Sequence, residues 1–148
     1  MMDASSIAKH ALRPEVAAVM TAAAKGDISA QRQMRNDSID ALVDSAAMPN
    51  VRTLLVFEAL FFARLCACHG NADDARRLAG MLIHAAGIIR SSSLAAIGDS
   101  LMTESLCILE ELSAAGDETA ASAAITIAAS EPIHVVQTAN KLCREEVA

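Results

Sequence analysis

The sequence predicts an all-α protein, and three observations lead to that prediction. Alanine, the residue with the highest helix propensity, is abundant among the 148 residues, whereas only six glycines and three prolines are present. A hydrophobic fraction of 53% with 20% charged residues excludes intrinsic disorder. Apolar residues recur at helical spacing in several segments. The length favours one domain over residues 1–148, with about seven or eight helices in antiparallel hairpins, forming an α-solenoid-like array or an irregular bundle.

Three dipeptides mark predicted turns between helices. They are Gly26-Asp27, Gly70-Asn71 and Gly116-Asp117. Glycine suits the left-handed position that closes a helix, and the Asp or Asn after it accepts hydrogen bonds from the first N–H groups of the next helix. Each dipeptide therefore predicts the turn of an antiparallel helical hairpin. The glycines lie 44 and 46 residues apart, which indicates three successive hairpins.

Other breaks divide the chain into eight predicted helices. Prolines at 14, 49 and 132 open or end helices, and both Ser130 and the serines at 91–93 are candidate N-caps of the helices that follow. Gly98 lies inside the sixth predicted helix and is a candidate break within it. The predicted helices cover residues 4–12, 14–25, 28–46, 50–69, 72–90, 94–115, 118–129 and 132–146.

Helical spacing also predicts which side chains are buried. The stripe predicted in the fifth helix is Leu78, Met81, Leu82, Ala85 and Ile89, and that in the last helix is Val135, Val136, Ala139, Leu142 and Cys143. The segment 54–65 is apolar nearly all round and carries Phe57, Phe61 and Phe62, the three aromatic residues of the chain. We therefore expect this segment at the centre of the fold, with Phe61 fully buried.

The second turn lies within a short recognisable pattern. Gly70 and Asn71 form the turn, Ala75 follows about four residues later, and the apolar Leu78 comes three residues after that. This arrangement resembles the middle of a tetratricopeptide-type helical hairpin, and it covers one hairpin. The resemblance implies an interaction scaffold and no ligand residues. The turn spacing exceeds the usual repeat of about 34 residues, so other α-solenoids and a simple bundle stay open.

The sequence offers weak metal-binding patterns. Cys66 and Cys68 precede His69, but positions i and i+2 of a helix point about 200° apart, so both thiols cannot face one ion. Glu131 and His134 have the Glu-x-x-His spacing of di-iron helices, which need a second such motif that the chain lacks. We therefore expect no metal site and no cofactor.

Catalytic motifs are equally absent from the sequence. Glu104, Glu110 and Glu111 form an acidic set, but no G-x-S-x-G nucleophile motif or phosphate-binding glycine loop accompanies them. A solvated acidic face is the simpler interpretation. We therefore expect that the protein is not an enzyme.

The fifth predicted helix carries the candidate binding surface. Asp73, Arg77 and His84 lie on one side of it, together with Gly80 and Gly87. Glycines inside a helix cost about 1 kcal/mol each relative to alanine, so two on one side indicate the close approach of another helix or of a ligand.

Charge and composition limit the classes of partner. The net charge of −6 argues against binding to nucleic acid or to an anionic membrane. The most apolar run, residues 54–68, is too short to span a bilayer, and no export signal is visible, so we expect free, buried cysteines and a cytoplasmic location. The prediction is a scaffold that binds a protein or peptide. The alternatives are a self-associating helical bundle, such as a homodimer, and a small-molecule binder that uses a cavity around His84 and the phenylalanines.

Overall fold

The structure is a computed structural model that describes residues 14–44, 49–91 and 94–145. These residues form an all-α fold of seven helices without a strand. The helices are α1 (Pro14–Ala24), α2 (Ile28–Asp44), α3 (Pro49–Ala67), α4 (Ala72–Arg90), α5 (Ala95–Ala114), α6 (Glu118–Ser130) and α7 (Ile133–Glu145). Helix ends within the described ranges lie within two residues of their predicted positions. The predicted helix 4–12 lies outside these ranges.

The chain divides into two compact units. The first ends at His69 and contains α1 to α3, and the second begins at Gly70 and contains α4 to α7. In the first unit, α2 packs against both α1 and α3. In the second unit, α5 packs against α4, α6 and α7 and is the central helix of that unit.

The three glycine turns are confirmed in their local geometry. Their glycines have φ angles of 89°, 77° and 95°, in the left-handed region that glycine adopts without strain. The polar residue after each glycine caps the next helix through its Oδ1 atom. The cap distances are 2.7 Å from Ala30 N to Asp27, 2.9 Å from Asp73 N to Asn71 and 3.0 Å from Ala120 N to Asp117. The first and third turns join helices that pack together, whereas the second lies at the boundary between the units.

Helices α4 and α5 have the most extensive contact of the helix pairs in the second unit. The predicted stripe of α4 is confirmed, since its five residues are all buried. At the start of α5, a Cβ added to Gly98 would lie 2.5 Å from Arg90 Cγ and 3.2 Å from the Ala86 carbonyl oxygen. The Ser105 hydroxyl, fully buried, donates to the Ala79 carbonyl at 3.1 Å. Gly98 therefore does not break the helix, and its missing side chain permits the close approach of α4.

The prediction that the phenylalanine segment forms the centre of the fold is wrong. Phe57 is 42% exposed and Phe61 is 56% exposed. The fully buried side of α3 consists instead of smaller residues, namely Val56, Ala59, Leu60, Ala63 and Cys66. In a helix that is apolar all round, polarity does not indicate which side is buried. The small alanine side chains on the buried side let the neighbouring backbone approach closely.

The predicted serine caps are also wrong where the structure describes them. Ser130 is the last residue of α6, and its hydroxyl donates to the Ile127 carbonyl at 2.9 Å instead of capping α7. Ser91 is the C-cap of α4, while residues 92–93 lie outside the described ranges. Leu94 occupies the N-cap position of α5 without a side-chain hydrogen bond.

Candidate functional site

The predicted binding surface lies along the solvent side of α4. Asp73, Arg77 and His84 are all exposed, and the Arg77 Nε donates to Asp73 Oδ2 at 2.9 Å. The close approach of another helix that was expected at Gly80 and Gly87 is wrong for the described residues, and the alternative of a ligand stays a prediction. Both glycines are exposed, and a Cβ added at either would have no neighbouring atom of the described residues within 4 Å. The structure thus places the three predicted residues on one face of a single helix.

Asp73 and its neighbour Arg76 have a structural role at the start of α4. Arg76 donates to Asp73 Oδ1 at 3.0 Å and pairs with Asp117 Oδ2 at 2.8 Å. Asp117 is the N-cap of α6, so Arg76 ties the first turn of α4 to the first turn of α6. The hydrogen bond and charge of Arg77 lower the pKa of Asp73. The charged residues near the start of α4 are therefore accounted for by contacts within α4 and between α4 and α6.

A cleft of about 410 Å³ lies between α5 and α7 in the second unit. Residues four apart on each helix supply its two walls, because i and i+4 share one helix face. The wall from α5 includes Asp99, Thr103, Glu104 and Cys107, and the wall from α7 includes His134, Val135, Thr138 and Leu142. Asp99 contacts His134 at one end, and Cys107 contacts Ala139 further along, so the two helices run in the same direction.

A network of charges closes one end of this cleft. Arg90 forms a bidentate pair with Glu131, with Nη1 to Oε1 at 3.1 Å and Nη2 to Oε2 at 2.6 Å. The same guanidinium pairs with Asp99 Oδ1 at 2.7 Å, and His134 Nε2 lies 3.0 Å from Asp99 Oδ2. The hydrogen bond from His134, followed by that from Arg90, lowers the pKa of Asp99. The network links the end of α4, the start of α5, the residue after α6 and the start of α7.

The hydroxyl groups along the cleft share one arrangement. Ser100, Thr103 and Thr138 each donate their hydroxyl proton to the carbonyl four residues earlier, at 3.1, 2.9 and 2.7 Å. A hydroxyl that donates in this way offers only its oxygen lone pairs to a further partner. The cleft therefore presents hydrogen-bond acceptors from three hydroxyls, together with the carboxylate of the half-buried Glu104.

The Cys143 thiol, near the cleft, is a weak nucleophile. The Cys107 thiol lies 3.7 Å from the Ala139 carbonyl oxygen. Burial, with added contributions from Cys107 and Glu110, raises the pKa of the Cys143 thiol. A nucleophilic cysteine requires a lowered pKa, so this thiol stays protonated at neutral pH. Cys107 also lies about 12 Å along α5 from Asp99, given a rise of 1.5 Å per residue, so the Asp99–His134 pair is too far away to act on this thiol.

In addition, no group of three or more His, Cys, Asp or Glu in the described ranges is placed to hold a metal ion.

The predictions of buried cysteines and of a helix end at residue 69 have mixed outcomes. Cys66 is buried as expected, but Cys68 is exposed, and Cys107 and Cys143 are half-buried. His69, predicted as the last residue of the helix over 50–69, lies two residues after the end of α3 at Ala67, and its Nε2 lies 3.0 Å from Gln31 Oε1. Because that amide oxygen only accepts, the histidine nitrogen donates this hydrogen bond.

Sequence reasoning did not find the α5–α7 cleft. The Glu131-x-x-His134 spacing was visible, but in the structure its members have different direct partners, since Glu131 pairs with Arg90 and His134 with Asp99. Asp99 and His134 are 35 residues apart, and no local pattern pairs them. The one available signal was the four-residue spacing of polar residues on each helix, Asp99 and Thr103 on α5 and His134 and Thr138 on α7, and it requires the helix packing to gain meaning.

The first unit carries an exposed apolar face on α3. Leu54, Phe57 and Phe61 occupy positions i, i+3 and i+7 of the helix and are 72%, 42% and 56% exposed. Phe61 also packs edge-on against Phe62, with ring centroids 5.2 Å apart. A groove of about 220 Å³ beside this face is lined by Phe61, Phe62 and Leu65 of α3 together with Met20 of α1. We refer to Leu54, Phe57 and Phe61 as the α3 face.

Charge is unevenly distributed between the two units. Residues 1–69 contain seven basic and seven acidic side chains, whereas residues 70–148 contain five basic and eleven acidic side chains. The whole net charge of −6 therefore belongs to the second unit, and the unit with the α3 face has a formal charge of zero.

The described helices were compared with the requirements of a membrane span, and the chain was compared with known proteins. Within the described ranges, no helix combines the length and apolarity needed to cross a bilayer. No protein-family model, curated protein or solved structure matches the chain.

Proposed function

We propose that this protein is a non-enzymatic helical scaffold that binds another protein, and that the α3 face is its binding surface. The observation that carries the proposal is the exposure of Leu54, Phe57 and Phe61 at helical spacing on one side of α3. An exposed cluster of large apolar side chains on a soluble domain is typical of protein-interaction sites. The tetratricopeptide-like pattern at Gly70-Asn71 agrees with such a role, which we place in the cytoplasm.

The partner surface that fits the α3 face is the apolar face of a helix. The three side chains span about 10 Å along α3, given seven residues at a rise of 1.5 Å. Anchors at i, i+3 and i+7 are the pattern by which amphipathic helices dock. Full burial of a large apolar side chain contributes about 1.5–3 kcal/mol, so three partly exposed ones offer a few kcal/mol in total.

The neutral charge of the first unit supports binding by apolar burial. With seven charges of each sign, this unit exerts little long-range electrostatic steering or repulsion. A second copy of the chain is one partner that such a surface accepts, because α3 itself supplies a helix with an apolar face. This self-association is the alternative form of the same proposal.

Site-specific photocrosslinking tests the proposal. The full chain carries a benzophenone amino acid either at position 61, on the α3 face, or at position 125, where Ile125 of α6 is 72% exposed. We expect a discrete product in lysate of the source cells from position 61 only. A product of twice the 15.4 kDa chain mass identifies a second copy as the partner.

Purified components then decide whether the product reflects specific binding. We expect Phe61→Asp to weaken binding of the purified partner at least tenfold, while the matched variant Ile125→Asp leaves binding unchanged. Equal crosslinking from both positions, or equal binding by both variants, would contradict the proposal.

A further inference from the structure

We propose that Cys107 of α5 and Cys143 of α7 form a site of reversible oxidation, at which the two thiols close to an intramolecular disulfide. This site lies in the second unit and is independent of the α3 face and of the proposed function. The inference rests on the register of the two helices, on the contacts of the two thiols, and on the access that the cleft gives to Cys107.

The register between α5 and α7 brings the two cysteines to the same level. The helices run in the same direction, and Asp99 contacts His134 towards the start of both. Cys107 lies eight residues after Asp99, and Cys143 lies nine residues after His134. The two cysteines therefore differ in height by one residue, which is a rise of about 1.5 Å.

The contacts of the two thiols confirm that they face each other. Cys107 Sγ lies 3.7 Å from the Ala139 carbonyl oxygen. In an α-helix the carbonyl of residue i accepts from the N–H of residue i+4, so this oxygen lies beside the backbone N–H of Cys143. Ala139 is buried on the side of α7 that packs against α5, and Cys143, four residues on, shares that side. The Cys143 thiol is also within hydrogen-bonding reach of Cys107 and of Glu110, which follows Cys107 by one turn of α5.

The spacing of two packed helices suits a disulfide. Their axes lie about 8–10 Å apart, and the Cα atoms lie about 2.3 Å from each axis, so facing Cα atoms are about 3.5–5.5 Å apart. A disulfide needs a Cα separation of about 4.4–6.8 Å, which overlaps this range. Both residues are half-buried thiols in the structure. A bond between them would hold α7 to α5 at the opposite end of the cleft from the Asp99–His134 contact.

The oxidant that we assign to the site is a small-molecule disulfide, of which oxidised glutathione is an example. Burial, followed by the contacts with Cys107 and Glu110, raises the pKa of the Cys143 thiol, so this thiol keeps its proton. Cys107, which lines the cleft, therefore makes the first attack.

The reaction consists of two thiol–disulfide exchanges. The Cys107 sulfur bonds to one sulfur of the small disulfide, whose S–S bond breaks, and the departing thiolate takes up the Cys107 proton. The Cys143 sulfur then bonds to Cys107 and expels the second small thiolate, which receives the Cys143 proton by way of the adjacent Glu110 carboxylate. The two protein thiols are thereby oxidised, and one small disulfide is reduced to two thiols.

Oxidation of the full chain under native conditions tests the site. The reduced chain is incubated with oxidised glutathione, the remaining thiols are blocked with N-ethylmaleimide, and disulfides are located by peptide mapping without reduction. We expect the dominant intramolecular disulfide to join Cys107 to Cys143. In urea the same bond should form at least tenfold more slowly, because the unfolded chain no longer holds α7 against α5.

Variants with a matched control test the two assigned roles. Cys107→Ser should abolish the intramolecular disulfide, and Cys143→Ser should stop the reaction at a mixed disulfide of Cys107 with glutathione. Cys68→Ser, which replaces an exposed cysteine of the first unit, should leave the reaction unchanged. The oxidised chain should also unfold at a urea concentration about 1–2 M higher than the reduced chain, and dithiothreitol should reverse this shift.

Peptide mapping of the unmodified chain decides the matter if a variant does not fold. A dominant disulfide between Cys66 and Cys68, a dominant intermolecular disulfide, or a glutathione adduct of Cys107 that does not close would overturn the proposal. Equal rates of closure in the folded chain and in urea would overturn it as well, because the fold would then not bring the two thiols together.

Discussion

Replacing glycine by alanine at three positions of the second unit should have opposite effects on stability. In Gly98→Ala, the new Cβ would lie 2.5 Å from Arg90 Cγ. Two carbon atoms in favourable van der Waals contact are about 3.5–4.0 Å apart, so this distance is much too short. It would also lie 3.2 Å from the Ala86 carbonyl oxygen and 3.3 Å from the Arg90 backbone nitrogen. Those backbone atoms move only if α4 moves, and the Arg90 side chain is held by two carboxylates.

The magnitude follows from two opposing contributions. Overpacking of a tight contact costs about 1–3 kcal/mol, and alanine gains about 1 kcal/mol over glycine in helix propensity. Gly98→Ala should therefore lower the free energy of unfolding by up to about 2 kcal/mol. Gly80→Ala and Gly87→Ala should each raise it by about 0.5–1 kcal/mol, because their added Cβ atoms meet no described neighbour within 4 Å.

Urea denaturation followed by circular dichroism measures all three variants under one condition. The difference between Gly98→Ala and Gly80→Ala isolates the packing cost, since the chemical change is the same. If Gly98→Ala is as stable as Gly80→Ala, α4 and α5 do not approach as closely as the 2.5 Å contact at Gly98 requires. If Gly80→Ala instead destabilises the protein, the exposed face of α4 is covered by another part of the molecule.

Two further predictions concern a helix cap and the charge network. Asn71→Ala should lower the free energy of unfolding by about 1 kcal/mol in urea denaturation, because Asn71 Oδ1 accepts hydrogen bonds from the first free N–H groups of α4. Asn71→Gly should cost only a few tenths of that amount. Equal costs for the two variants would refute the capping role. The lowered pKa of Asp99 means that its contribution to stability is complete above the ordinary aspartate pKa of about 4 and is lost as the pH falls through the lower folded value. Denaturation at pH 2.5 to 7 should therefore show a smaller loss of stability on acidification for Asp99→Asn than for the unmodified chain, and identical pH profiles would contradict the Asp99 contacts.

The sequence predicted those features that depend on local chemistry. The left-handed glycines and the Asp27, Asn71 and Asp117 caps follow from backbone conformations and hydrogen bonds within a few residues, and all of them are confirmed. The buried stripe of α4 was predictable for a related reason. Its polar opposite face, with Asp73 and Arg77, marks which side meets water.

Features that depend on the packing of distant segments were not predictable. In α3, polarity does not distinguish one side from another, so the large size of Phe61 suggested burial while the structure buries the neighbouring Leu60. Glycine in a helix marks a close contact at Gly98 but not at Gly80, and only the position of the neighbouring helix separates the two cases. The α5–α7 cleft likewise requires the two helices to be placed side by side.

Chemical denaturation of Leu60→Ala and Phe61→Ala tests most directly the claim on which the proposed function depends, namely that α3 exposes its phenylalanines. Leu60 is 1% exposed, so Leu60→Ala should lower the free energy of unfolding by about 2–5 kcal/mol. Phe61 is 56% exposed, and Phe61→Ala should cost about 1 kcal/mol, roughly what is expected from partial burial and one ring contact. A cost for Phe61→Ala equal to that of Leu60→Ala would show that Phe61 is a core residue and would remove the α3 face as a binding surface.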